Sequence, residues 1–276
     1  MLSKINNSIL ILSLSVFLLI FSSIKVFADE NVSASEETEA DVEEILVTAN
    51  RTEQSISDVS QAVQALSGDD LQDLQITDFE QMIDLIPGAV QNSSISQGSN
   101  VYSIRGVASA ETDGDATIGY YLDNFAFSLP GRPYAPVTDI YDTERVEVLR
   151  GPSGTLYGLG SLGGTIKVIT KDPVIGEFEG SFKATLADID DGDSSHTGDL
   201  MLNIPLSENA ALRGVLSIKD IGGWAEIIPS NQTNGNPYDG ITGRLKLLVE
   251  PSEDLSIKLT YWHQDSEQKF ANRLTY

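Results

Sequence analysis

Ser194, Ser195 and His196 lie side by side behind four aspartates, Asp188, Asp190, Asp191 and Asp193, grouped around Gly192. These are the residue types of a nucleophile with its base and of a calcium loop, but the spacing supports neither chemistry. A nucleophile and its base need a fixed relative geometry that sequence neighbours in one loop do not have. The twelve-residue calcium loop closes on a Glu that is absent at the required offset. The cluster therefore reads as an exposed acidic loop. Gly158-Leu159-Gly160-Ser161-Leu162-Gly163 matches the dinucleotide pattern G-x-G-x-x-G. That pattern works only when a helix follows and points its N-terminus at a pyrophosphate. Here Gly164-Thr165-Ile166-Lys167-Val168-Ile169-Thr170 follows, a β-branched strand, so the glycines are expected to form a tight chain crossing. The chain has no Cys, and its only His are His196 and His263. Disulfides, thiolate zinc sites and Cys nucleophiles are thereby excluded, and two His so far apart in sequence do not suggest a His-based metal site. No constellation supports an enzyme, and no metal or cofactor is expected.

The elements that carry these residues begin with an export signal. Residues 1–28 contain Lys4 and Lys25 and no acid, and Ile9 to Phe21 is a run of 13 residues broken only by Ser13 and Ser15. A spanning helix needs about 20 apolar residues. The basic start, short apolar middle and exit at Val26-Phe27-Ala28 predict a signal peptide removed after Ala28, in preference to an uncleaved anchor. The 276-residue chain carries 17 Lys+Arg against 41 Asp+Glu, a net charge of −24; loss of Lys4 and Lys25 takes this to −26. So acidic a surface repels phosphate backbones and argues against nucleic-acid binding.

Residues 29–43 are acidic and polar, with no base, and are expected to form a flexible leader. Ile45-Leu46-Val47-Thr48-Ala49 follows at once, apolar and partly β-branched. It reads either as the first strand of the next domain or as a strand that adds to the edge of another protein's sheet.

Residues 50–172 predict a small α+β domain. A strand is expected at Gln61–Leu66 and a capped helix through Leu71–Leu74. Thr77-x-x-Glu80 is a capping box for a second helix through Phe79, Met82, Ile83 and Ile86, stopped by Pro87-Gly88. Short strands follow at 101–105, 117–123, 144–149 and 165–170.

Residues 173–276 alternate with period two. Phe178, Gly180, Phe182, Ala184 and Leu186 share one face. So do Leu200, Leu202 and Ile204; then Ala210, Leu212, Gly214, Leu216 and Ile218; then Ile241, Gly243, Leu245, Leu247 and Val249; then Leu255, Ile257, Leu259 and Tyr261. A transmembrane β-barrel and a soluble sandwich both alternate this way. The connections run long (188–196), short (207–209), long (220–240), short (251–254), which is the outer-membrane pattern. Five strands do not close a barrel, since known barrels have at least eight. The chain is expected to end partway through one.

These residues resemble TonB-dependent outer-membrane receptors. Glu43-Glu44-Ile45-Leu46-Val47-Thr48-Ala49 is similar to the TonB box, Tyr102-Ser103-Ile104-Arg105-Gly106 to the family's I-R-G strand, and Tyr121-Leu122-Asp123-Asn124 to its Y-x-D-G segment, with Asn124 in place of Gly. Thr143-Glu144-Arg145-Val146-Glu147-Val148-Leu149-Arg150-Gly151-Pro152-Ser153-Gly154-Thr155-Leu156-Tyr157-Gly158 and Gly163 to Lys171 carry the most specific match. The resemblance implies an α+β plug domain inside an antiparallel barrel that is 22-stranded in the family, incomplete here. It implies a protein of the Gram-negative outer membrane, set in lipid, that imports a scarce solute. An iron–siderophore complex is the first expectation; oligosaccharide or cobalamin, or a plug-type binding module without transport, are the alternatives. Iron enters only as cargo, and no resident cofactor is implied. TonB and the inner-membrane motor proteins behind it are the implied partners, with Glu44, Ile45, Leu46, Val47, Thr48 and Ala49 as the TonB-binding strand. Arg105 and Arg150 fall in motifs whose arginines face barrel-wall carboxylates, expected on strands beyond Tyr276. Ser128-Leu129-Pro130-Gly131-Arg132-Pro133-Tyr134 offers one guanidinium and one ring on a Pro-stiffened loop. Arg132 and Tyr134 are therefore the candidate solute contacts.

Overall fold

The computed structural model describes residues 46–48, 51–52, 54–76, 79–94, 100–108, 114–127, 139–158, 160–227 and 232–268. The signal peptide, the acidic leader, Glu44, Ile45, Ala49, Thr77, Arg132 and Tyr134 lie outside the described residues.

The N-terminal part is built on a five-stranded mixed sheet. Its strands are β3 (Ala62–Ser67), β7 (Ile118–Leu122), β8 (Phe125–Ala126), β9 (Thr143–Arg150) and β10 (Gly164–Thr170), in the spatial order β3-β9-β10-β7-β8. Strands β9 and β10 are antiparallel, whereas β10 and β7 run parallel with Ile166 opposite Tyr120. The side chains of β9 divide with period two. Val146 and Val148 enter the main core with Ile118, Tyr120, Leu122, Ile166 and Val168, while Glu147 and Leu149 point to the other face.

Two helices cover the main core. Helix α1 (Gly68–Asp73) starts where the Ser67 hydroxyl accepts from the Asp70 N–H at 3.0 Å, an N-cap that satisfies an otherwise orphan donor. Helix α2 (Phe79–Asp84) buries Phe79, Met82 and Ile83, the i, i+3, i+4 positions of one helical face. A small sheet of β4 (Ala89–Ser94), β5 (Asn100–Ile104) and β6 (Val107–Ala108) completes this part. The glycine run is a chain crossing, as expected. Gly163 N–H donates to Thr117 O at 2.9 Å, and a Cβ at Gly164 would stand 2.5 Å from Leu149 O. The turn between β7 and β8 puts its positive φ (+50°) on Asp123, so Asn124 stands where no glycine is needed.

The C-terminal part is a continuous antiparallel sheet of β11 (Glu179–Asp188), β12 (Ser194–Ser207), β13 (Ala210–Ile221), β16 (Tyr238–Ser252) and β17 (Leu255–Gln268). The connection at 222–237 is not bare loop: it holds a short hairpin, β14 (Ala225–Ile227) with β15 (Gln232–Gly235), whose strands are too short for a period-two pattern to mark them. Burial in the three inner long strands, β12, β13 and β16, is inverted relative to a soluble sheet, while β11 and β17 are exposed on both faces. Ile218 and Leu245 are 50% and 47% exposed, and Leu216 and Ile241 are also exposed. Asn203, Arg213, Arg244 and Lys246 are buried against the N-terminal part. A sandwich hides its apolar face; a membrane barrel presents that face to lipid and keeps the polar one inside. The structure thus selects the barrel between the two readings that alternation leaves open. No helix among the described residues is long and apolar enough to cross a membrane.

Candidate functional site

The face of the sheet opposite the helices holds the start of the described chain. Strand β1 (Leu46–Val47) pairs antiparallel with β2 (Gln54–Ser55), with Val47 opposite Gln54. Val47 is fully buried against Leu149 and Tyr157, while Leu46 is half exposed. The short helix α3 (Gly154–Tyr157) delivers Tyr157 to this spot.

Thr48 is held at every polar atom. Its N–H donates to Glu147 Oε1 at 2.8 Å, and its hydroxyl lies 3.0 Å from Glu147 Oε2 and accepts from Lys167 Nζ at 2.7 Å. Its carbonyl accepts from the Tyr157 hydroxyl at 3.0 Å and from the Arg51 N–H at 2.9 Å. Glu147 is fully buried and also accepts from Arg145 Nε at 2.9 Å. A buried carboxylate is stable only with such partners. Burial lowers the Lys167 ammonium below its usual range, with the nearby Glu147 charge opposing that shift. Burial, then the negative Glu147, pushes the Tyr157 phenol up to about 12. Arg51 lies over the Tyr157 ring, 5.5 Å from its centroid, and donates to Leu156 O at 2.8 Å. The strand at 46–48 is therefore docked rather than left with a free backbone.

A second set of contacts fixes the plug to the wall. Asp142, just before β9, receives Arg213 of β13 in bidentate fashion at 2.9 and 2.6 Å, and Arg244 of β16 at 3.1 Å. All three side chains are at most 6% exposed. Lys246 of β16 reaches Asp123 at 3.2 Å, Asp172 at 3.1 Å and Thr170 O at 2.8 Å, and Lys258 of β17 also pairs with Asp172. Trp262 packs edge-on against Phe127, centroids 5.2 Å apart. These ties run from plug carboxylates to wall cations, the opposite polarity to that expected of Arg105 and Arg150.

Arg105 and Arg150 meet at one turn. Arg105 N–H donates to Gly88 O at 2.8 Å, and Arg150 Nη1 lies 3.5 Å from Pro87 O. The buried Arg150 Nε has no hydrogen-bond partner among the described residues. Neither arginine pairs with a carboxylate among them.

No local pattern singles out Glu147, Lys167, Tyr157, Asp142, Arg213, Arg244 or Lys246. One signal was available: Lys167 interrupts the apolar run Ile166-Val168-Ile169, and a cation inside a buried strand requires a buried partner.

Residues 55–165 match the family profile described as TonB-dependent Receptor Plug Domain. The metal-pseudopaline receptor CntO of Pseudomonas aeruginosa is 31% identical over 181 residues, which is 65% of this chain and 23% of that protein. The vitamin B12 transporter BtuB of Photobacterium profundum is 30% identical over 148 residues, 50% of this chain and 22% of that one. The pyoverdine outer membrane receptor FpvA from Pseudomonas aeruginosa superimposes with a TM-score of 0.67 at 21% identity, covering 82% of this chain and 31% of its own. The chain spans about a fifth of the length of the curated relatives it matches.

Proposed function

We propose that this chain, a member of the TonB-dependent receptor family by its plug domain and opening barrel strands, serves TonB-driven import of a scarce solute across the Gram-negative outer membrane. It reaches that membrane through a signal peptide cleaved after Ala28. The solute binds at outward loops of plug and barrel. TonB, energised by the inner-membrane motor proteins, pairs with the strand at 44–49 and pulls, and the plug rearranges to open a path. No bond of the solute is made or broken. Arg105 and Arg150 add a second plug-to-wall lock, with wall carboxylates as partners. The observation that carries the reading is the inverted burial of the inner long strands around a salt-bridged plug. A soluble binding module has no use for a wall of exposed Leu, Ile and Phe.

An iron–siderophore complex is the first choice of solute. The likeness to a metal-pseudopaline receptor supports a metal–chelator cargo, and the comparable likeness to a vitamin B12 transporter makes cobalamin the second reading. The test is uptake of radioiron as a panel of ferric siderophores, and of radiolabelled cobalamin, by cells with and without the protein. Uptake that needs the protein and stops when TonB is deleted supports the reading. Uptake of cobalamin alone moves the solute to the second reading. Uptake that persists without TonB overturns the mechanism.

A further inference from the structure

The strand assigned to TonB already has its backbone in use. Adding a strand to another protein's sheet requires free N–H and C=O groups along one edge. At Thr48 the N–H is bound to Glu147 Oε1, and the carbonyl takes donors from Tyr157 and Arg51. We propose that Glu147 is a positioning residue that holds the box shut, its carboxylate competing with TonB for the backbone of Thr48. The inference rests on reading 44–49 as the TonB-binding strand.

The surroundings of Glu147 make this contact able to open. A carboxylate left bare in a core would oppose release strongly. Glu147 is not left bare, because Arg145 Nε stays 2.9 Å away on its own strand when Thr48 departs. Lys167 Nζ, freed from the Thr48 hydroxyl, remains on the adjacent strand, where Lys167 stands opposite Glu147 in register. The two cations keep the acid compensated in both states, while the Thr48 contacts add a preference for the docked one. Val47, packed on Leu149 and Tyr157, moves with the same strand.

The chain has no Cys, so a single introduced thiol reports cleanly. The protein is purified in detergent carrying Val47→Cys, and two quantities are read: the labelling rate of that thiol and the affinity for a soluble C-terminal domain of TonB. Glu147→Gln keeps the volume and removes the charge. It is expected to speed labelling and tighten TonB binding, each by roughly tenfold, the scale of a hydrogen bond to a charged group. Thr48→Val, which leaves the acid in place and deletes only the hydroxyl contacts, is expected to move both in the same direction by less. Val101→Cys, buried elsewhere in the plug, is the control, and its labelling should not change with Glu147→Gln. Equal acceleration at both thiols would mean general loosening and overturn the proposal. Loss of TonB binding in Leu46→Pro, with both readouts unmoved by Glu147→Gln, would overturn the catch and keep the box assignment. A freed thiol with TonB binding indifferent to both Glu147→Gln and Leu46→Pro would overturn the competition together with that assignment.

Discussion

Thr48 and Glu147 are 99 residues apart in sequence and are joined by the Thr48 N–H, 2.8 Å from the carboxylate, and by its hydroxyl at 3.0 Å. The contact ties the first described strand to β9, an inner strand of the plug sheet. Its geometry makes Val47 and Thr48 part of the plug's buried structure. It also makes any partner that pairs with this strand a competitor of the plug.

Proline tests the backbone role of that strand. Leu46→Pro or Val47→Pro removes an N–H and fixes φ, so pairing should fail both with the plug and with TonB. Leu46→Val should be mild, because Leu46 is half exposed. Crosslinking to TonB in membranes is the measurement. Crosslinks of undiminished yield in the proline variants would show that the partner does not read this strand.

Asp142 should be the costliest single carboxylate to remove from the plug. It bridges two guanidiniums, and breaking a buried pair leaves uncompensated charge. Asp142→Ala should destabilise the plug by about 3–5 kcal/mol. Glu179→Ala, which removes the exposed partner of Arg213, should cost no more than about 1 kcal/mol. Denaturant melts in detergent, together with limited proteolysis of the plug, compare the two. Equal effects would place Asp142 outside the structural tie.

Alkaline pH should undock the box. Tyr157 has its phenol pushed up to about 12 in the folded protein, from an ordinary value of 10.0, by burial and then by Glu147. A folded pKa above the unfolded one contributes stability that is complete below pH 10 and is lost as pH rises through 12. Labelling of the Val47→Cys thiol, corrected for the reagent's own pH dependence, should rise over that window. Tyr157→Phe should flatten the rise. A profile unchanged by Tyr157→Phe would assign the effect to another group, such as the deeply buried Tyr120, which is raised in the same sense by burial.

Much of this organisation is legible in the residues. Period-two alternation in 200–204, 210–218, 241–249 and 255–261 locates four barrel strands because the side-chain period of a strand is a local property. The spacing of Phe79, Met82, Ile83 and Ile86 locates a helix for the same reason. The ends are less legible: β12 begins at Ser194, well before its apolar run, because its first half turns polar residues both ways. Alternation also leaves open which face is wet, since Arg213 inward and Leu212 outward is the same pattern as its reverse. Contacts such as Thr48 with Glu147 or Asp142 with Arg244 join residues about a hundred positions apart. No local rule specifies such pairs; a buried charge states only that some partner is needed.

Arg132 and Tyr134 lie outside the described residues, beyond Phe127, which packs on Trp262 of the wall. We expect Arg132→Ala and Tyr134→Ala to weaken solute binding and leave TonB crosslinking intact. Equilibrium binding of a ferric siderophore measures the first and crosslink yield the second. Unchanged binding in both variants would remove this loop from the solute site.

The inverted sheet is tested most directly by a cysteine scan along β16. The chain's lack of native Cys leaves each introduced thiol unambiguous. In reconstituted membranes, thiols at Leu245 and Leu247 should react with a lipid-soluble reagent and resist a water-soluble one. Thiols at Arg244 and Lys246, which face the plug, should resist the lipid-soluble reagent. A strict two-residue alternation of that sense is the predicted result. Water-soluble labelling of Leu245 and Leu247, with no response to the lipid-soluble reagent, would contradict the barrel and with it the import function.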